Sequence, residues 1–162
     1  MPNDSKLTSV SGARWLLLSI AVIALDQITK AWAVKTLIFQ EPKVILSFFN
    51  WYLDFNKGAA FSMLNSNPTV AMWLFGGIAI AVSVILIVWL LFIPTQNQLQ
   101  SMALSLILGG ALGNFTDRVR LGHVVDFIQL HLKELYWPVF NVADIAITIG
   151  AGLLIITMLL RK

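Results

Sequence analysis

Apolar residues gather into four long runs along the chain, and the runs differ in how strongly polar residues interrupt them. Val70–Ile93 is the most uniform: it carries no charge, its most polar side chain is that of Ser83, and Pro94 follows as a stop. Val139–Leu160 is nearly as apolar but holds Asn141 and Asp144. Leu99–Phe115 is shorter and rich in small residues, with Gly109, Gly110 and Gly113. In the first run Trp15–Leu25 is apolar, then Asp26, Gln27 and Lys30 intrude before Ala31–Val34. A helix rising 1.5 Å per residue needs ~20 apolar residues to cross ~30 Å of hydrocarbon, so the pattern predicts four transmembrane helices. The first run also has features of a cleavable signal peptide: basic Lys6 and Arg14, an apolar stretch, and Ala31-Trp32-Ala33. Asp26 and Lys30 lie where such a peptide is bland, which favours a span.

Pro94–Gln98 is a short turn, whereas residues 37–69 and 116–138 form long connections of the kind that usually carry function. Four spans put both long connections on one side of the membrane and both termini on the other. Phe49–Asn56 alternates strictly, with Phe49, Trp51, Leu53 and Phe55 on one face and Asn50, Tyr52, Asp54 and Asn56 on the other. That period of two predicts a half-buried strand, with Val44-Ile45-Leu46 as a partner. A plain amphipathic hairpin on the membrane surface would show the same alternation. Gly58-Ala59-Ala60 follows, small enough for close backbone approach. Val124–Ile128 reads as a short strand or a helix extension, and Leu130–Trp137 as an amphipathic interfacial helix anchored by Tyr136-Trp137.

Composition agrees with a bilayer as solvent. Of 162 residues, 58% are hydrophobic and only 12% charged, too few to clothe a water-soluble surface. The absence of cysteine excludes disulfides, thiolate metal sites, a cysteine nucleophile and lipidation of this chain on cysteine. A net charge of +3, scattered rather than striped, does not suit a nucleic-acid binder. Orientation is ambiguous from charge. The terminal side carries Lys6, Arg14, Arg161 and Lys162, and the long-loop side carries Lys30, Lys35, Lys43, Lys57, Arg118, Arg120 and Lys133. By the positive-inside rule that balance would put the long loops in the cytoplasm.

Ionisable groups in a membrane are costly unless paired or solvated, so each is a functional candidate. Asp126 lies in the apolar run Val124–Ile128, and Asp144 lies one turn inside the fourth helix. If both elements end at one interface the two carboxylates meet there. Two close carboxylates do not both ionise cheaply; one then takes a proton from water while the other donates to a carbonyl oxygen. The alternative is structural, with Asp144 capping its helix and Asp126 a solvated loop acid. Asp26 and Lys30, four apart on one helix face, read as a structural ion pair. Gly109 and Gly113 form a G-x-x-x-G face for close helix contact, with Asp117 and Arg118 following. Asn56, Asn114 and Asn141 are candidates for a polar network around the carboxylates. No H-E-x-x-H, G-x-S-x-G or phosphate-binding glycine loop occurs, and His123 and His131 lack ligand spacing.

Five segments resemble the conserved boxes of the bacterial lipoprotein signal peptidases (signal peptidase II). They are Asp26-Gln27-Ile28-Thr29-Lys30, Asn56–Phe61, Gly109–Arg118, Val124–Phe127 and Phe140–Asp144. The resemblance implies an aspartyl endopeptidase of the bacterial inner membrane, a single domain over residues 1–162. It implies a mainly α membrane protein of four spans with a small extracytoplasmic half-barrel of strands around residues 44–61. Residues 1–12 would be a polar cytoplasmic tail, with both termini cytoplasmic and the site toward the outer leaflet. The implied partners are membrane lipids and prolipoproteins already carrying diacylglycerol on cysteine, cut just before that residue. The implied catalytic residues are Asp126 and Asp144, supported by Asn56, Gly58, Asn114, Arg118 and Asn141. No metal, cofactor or nucleic acid is implied, and a monomer is expected. Two other classes compete on the residues alone. A small proton-coupled transporter would use Asp26 and Asp144 as relay groups, though the internal repeats typical of many transporters are not evident. A noncatalytic scaffold would use the glycine faces and tolerate loss of either aspartate.

Overall fold

The computed structural model describes residues 11–58, 68–94 and 96–160. The order is a short 3-10 turn (Ser11–Trp15), α1 (Leu16–Thr36), β1 (Lys43–Leu46), β2 (Phe49–Asn56), α2 (Pro68–Phe92), α3 (Gln98–Leu121), β3 (Val124–Leu132), β4 (Leu135–Tyr136) and α4 (Val142–Leu160). The expected tail residues 1–10, and Ala59, Ala60 and Phe61 of the second box, lie outside the described residues. The four apolar runs are therefore four helices. Gly12–Thr36 and Val142–Leu160 are each long and apolar enough to cross a membrane, and Gly76–Phe92 is a shorter apolar segment.

The first helix is polar inside and apolar outside, while α2 and α3 bury a leucine-rich cluster (Leu86, Leu90, Leu104, Leu108). On α1 the buried stripe is Ser19, Val22, Asp26, Lys30 and Ala33, at helical spacing. Asp26 is 0% exposed, whereas Ile28 is 67% exposed. In water this distribution would be inverted; in lipid, polar groups must be satisfied within the protein and the outside must be greasy.

Central α3 shows why its sequence is the least apolar of the four. It packs on α1, α2 and α4, so it has no need of a lipid-facing side. Its glycines set the approach. A Cβ on Gly109 would lie 2.7 Å from Cβ of Val22, and one on Gly113 would lie 2.6 Å from Oδ2 of Asp26. A Cβ on Gly110 would collide with the Ala143 carbonyl oxygen of α4. The G-x-x-x-G face thus meets α1, and the glycine between its ends meets α4.

The strands form one antiparallel sheet in the order β1-β2-β3-β4. Its central pair joins the two long connections, with Asp54 opposite Asp126 and Asn56 opposite Val124. Val125 and Phe127 pack with Ala33 of α1 and Leu53 of β2, so Asp126, between them on the strand, faces the other way. Trp51 meets Trp32 of α1 edge-on at 5.2 Å between ring centroids. Phe140 exchanges hydrogen bonds with Ile128, which fixes the chain just before α4 against β3. The sheet therefore sits at the bundle end formed by the C-termini of α1 and α3 and the N-terminus of α4.

The expected amphipathic helix over Leu130–Trp137 is corrected. The segment is the β3–β4 hairpin, turning at Lys133 with φ 54°. Strand pairing overrides the helical period here. The His131 N–H donates to the Phe48 carbonyl, and the Trp137 N–H donates to that of Leu130. Val124–Ile128, left open between strand and helix, belongs to the same strand.

Candidate active site

Asp126 and Asp144 arrive from different elements and meet through asparagines. Asp126 is 2% exposed on β3. Its Oδ1 accepts from Asn141 Nδ2 at 2.6 Å and its Oδ2 from Asn56 Nδ2 at 3.0 Å. Asp144 is half-buried at the third position of α4. Its Oδ2 accepts from the Asn141 N–H at 3.1 Å, and its own N–H donates to Asn141 Oδ1 at 3.0 Å. This is a reciprocal capping box with Asn in the usual Ser/Thr position and Asp in the usual Glu position. Asn114 Nδ2 donates to Asp144 Oδ1 at 2.8 Å. A single residue, Asn141, therefore touches both carboxylates, Asp126 with its side-chain amide and Asp144 with its backbone N–H.

The amide orientations follow from partners that can only donate. Asn114 Oδ1 accepts from Lys30 Nζ at 2.8 Å, Asn141 Oδ1 from the Asp144 N–H, and Asn56 Oδ1 from the Gly58 N–H at 2.8 Å. An ammonium and two backbone N–H groups only donate, so each amide oxygen must face them and each NH₂ must face the carboxylates. Gly58 holds φ 91°, a left-handed conformation that a side chain resists. Each acid consequently receives two N–H donors.

Burial pushes the Asp126 carboxyl up to about 7; the Asn56 hydrogen bond opposes this, the Asp144 charge adds to it, and Asn141 and Lys30 oppose it. Arg118, whose Nη1 donates to the Asn114 carbonyl at 3.3 Å, lies within electrostatic reach of Asp144, Asp126 and Asp117. Beside Asp144 a groove of about 370 Å³ runs along α4, walled by Leu130, Trp137, Phe140, Ile145 and Ile149. The cleft thus joins one carboxylate to a lining that is otherwise apolar but for Thr148.

Behind the acids lies the expected Asp26–Lys30 pair, at 2.9 Å. It is larger than the spacing of four suggested, because Lys30 also contacts Asp117 at 2.8 Å and spends its third proton on Asn114. The two carboxylates then grip backbone on either side of the site. Asp26 Oδ1 accepts from the Ala143 N–H at 3.0 Å, and Asp117 Oδ2 from the Val125 N–H at 3.1 Å. Those are the residues immediately before Asp144 and Asp126. Gln27 completes the set, donating to Asp117 Oδ1 at 2.8 Å. Sequence reasoning gave Asp117 and Gln27 no role. The three-residue spacing of Asp117 from Asn114 on one helix face was the available signal for the former. Among the described residues no cluster of three or more His, Asp or Glu suited to a metal ion occurs.

The model of the signal peptidase (SPase) II family matches residues 18–160. A lipoprotein signal peptidase of Teredinibacter turnerae is 48% identical over 150 residues, covering 93% of this chain and 89% of that protein. One of Cupriavidus necator is 45% identical over 158 residues, covering 98% and 90%. A solved structure described as a bacterial membrane enzyme superimposes with a TM-score of 0.83 at 33% identity, covering 93% of this chain and 95% of the other. With the match spanning nearly all of the bundle and the whole sheet, the chain belongs to the signal peptidase II family, the lipoprotein signal peptidases.

Proposed function

We propose that this chain is an integral-membrane aspartyl endopeptidase in which Asp126 and Asp144 hydrolyse the peptide bond just before a diacylglyceryl-modified cysteine. Removal of signal peptides from prolipoproteins is the activity of the family to which it belongs. The single observation that carries the two-acid reading is the pair of carboxylates bridged by Asn141 at the mouth of an apolar groove. All four helices span the bilayer in this reading, α3 shielded from lipid by the others, and residues 1–162 form one peptidase domain. The termini face the cytoplasm and the sheet caps the outer-leaflet end of the bundle in the bacterial inner membrane. The chain acts as a monomer on a substrate already held in the same membrane.

In the resting site Asp126, whose carboxyl burial pushes up, holds the proton that the pair shares. Asp144 takes a proton from a water lying between them, and the oxygen attacks the scissile carbonyl carbon. Asp126 protonates the carbonyl oxygen. Collapse of the tetrahedral species breaks the C–N bond, and a proton returns to the leaving amine of the lipidated cysteine. Asn56, Asn114 and Asn141 hold the acids at fixed orientation, Gly58 fixes Asn56, and Arg118 balances charge at the rim. The acyl chains lie in the groove beside Asp144. They are already in lipid before binding, so the groove positions them more than it attracts them.

The reading is tested with a precursor peptide in detergent, lipidated or not, followed by mass spectrometry of the products. The expected break is immediately before the lipidated cysteine, and equal cutting of an unlipidated Cys→Ser precursor would overturn the substrate assignment. The pH profile is a second test. Asp126 is neutral below about 7 and charged above it, so kcat/KM declines as pH rises past about 7, close to tenfold per pH unit. Asn56→Ala removes a donor that favours the charged form, so its alkaline limb moves to higher pH. A limb that moves downward, or none between pH 5 and 9, contradicts the assignment of the proton to Asp126.

A further inference from the structure

A second groove, of about 340 Å³, opens on the opposite flank of the network, between α1 and α3 and under β3. Gln27, Lys30 and Asp117 make its floor, and Ala31, Val34 and Leu121 its walls. The floor offers no free cation, because Lys30 is shared by two acids, Asp26 and Asp117. Its rim does. Lys35, in the last turn of α1, and Arg120, in the last turn of α3, both line the groove. Both are exposed, and neither makes an ion pair among the described residues. The surface around them is apolar as well: Val34 is 49% exposed, Val119 65% and Leu121 50%. From Lys35 down to Gln27 is eight residues of helix, about 12 Å.

Two unmatched cations above apolar walls have the layout of a phosphate above the first carbons of acyl chains. A zwitterionic headgroup offers the same phosphate but brings its own ammonium against the two cations, which a net negative headgroup does not. We propose that this groove binds a phospholipid of net negative headgroup, its phosphate between Lys35 and Arg120 and its first acyl carbons along Ala31, Val34 and Leu121. The site shares no residue with the groove beside Asp144. It needs the chain to sit in a bilayer and does not depend on the peptidase chemistry. It also gives a partner to two of the seven cations that crowd the long-loop side.

The test is native mass spectrometry of the full chain in detergent with equimolar phosphatidylglycerol and phosphatidylcholine. Wild type is expected to retain phosphatidylglycerol about tenfold over phosphatidylcholine. Lys35→Gln with Arg120→Gln removes the preference, whereas Lys43→Gln with Lys133→Gln, exposed cations of the sheet, preserves it. Prolipoprotein cleavage by the Lys35/Arg120 variant continues, which shows that it is folded. No anionic preference in wild type, or one that survives the Lys35/Arg120 change, overturns the proposal. So does displacement of the lipid by free glycerol 3-phosphate at equal concentration, since that would mark a phosphate site without an acyl wall. Absence of cleavage in wild type with the lipid preference intact would instead count against the peptidase reading alone.

Discussion

Replacing either Asp126 or Asp144 by Asn is expected to lower kcat for cleavage of a lipidated precursor by roughly 10³-fold or more, with little change in KM. Asparagine keeps the volume and one acceptor but holds no exchangeable acid proton and takes none from water. The fold should survive. At Asp126 the substitution exchanges a carboxyl for an amide of nearly the same shape at a position that is 2% exposed. It also sets an NH₂ against a donor, because both oxygens of Asp126 accept N–H bonds. The amide will turn that NH₂ toward Asn56, whose bond at 3.0 Å is longer than the 2.6 Å bond from Asn141. The net cost is about 1–3 kcal/mol, small enough to leave a folded inactive protein. At Asp144 the carbonyl oxygen can still accept from the Asn141 N–H and preserve the helix start. Single-turnover cleavage beside thermal unfolding in detergent separates the two effects. Turnover within tenfold of wild type for either variant would eliminate the two-acid mechanism.

Lys30→Met is expected to have the largest effect on stability, about 3–5 kcal/mol, as for any buried pair that loses one partner. The change strands more than one ion. Asp26 and Asp117 are 0% and 2% exposed, and without the ammonium two buried carboxylates are left with their shared partner gone. Asn114 Oδ1 loses its ammonium donor and keeps only the longer bond from Asn141 Nδ2 at 3.1 Å, so the amide that donates to Asp144 is held less firmly. Poor recovery of folded protein is the predicted result. Combining Lys30→Met with Asp26→Asn and Asp117→Asn removes all three charges, and part of the melting temperature should return. If Lys30→Met alone melts within a few degrees of wild type, the charges are solvated and the network does not hold the site.

Much of the fold was legible because a bilayer writes simple patterns. Runs such as Val70–Ile93 have one physical meaning, and the alternation of Phe49–Asn56 distinguishes its two faces before any partner is known. Asp126 and Asp144 stood out because isolated acids in apolar runs are expensive. What stayed hidden depended on distant pairing. Leu130–Trp137 is too short for its period to decide between helix and strand, and an edge contact with Phe48 chose the strand. The sharing of Lys30 between two acids was invisible for a similar reason: Asp26 lies four residues away, but Asp117 comes from another helix. A positive-inside count treats Lys30 as free, when it is neutralised inside the bundle, yet setting it aside still leaves six cations against four on the long-loop side.

The reciprocal cap between Asn141 and Asp144 has an evolutionary corollary. The acid that would attack the peptide bond through water also closes the first turn of its own helix, so a lineage that drifts at this position loses activity and local order together. Selection on either property therefore guards the other. A noncatalytic descendant of this protein would be expected to retain the acid long after the need for hydrolysis had gone, and inferring an active peptidase from Asp144 by itself would then mislead.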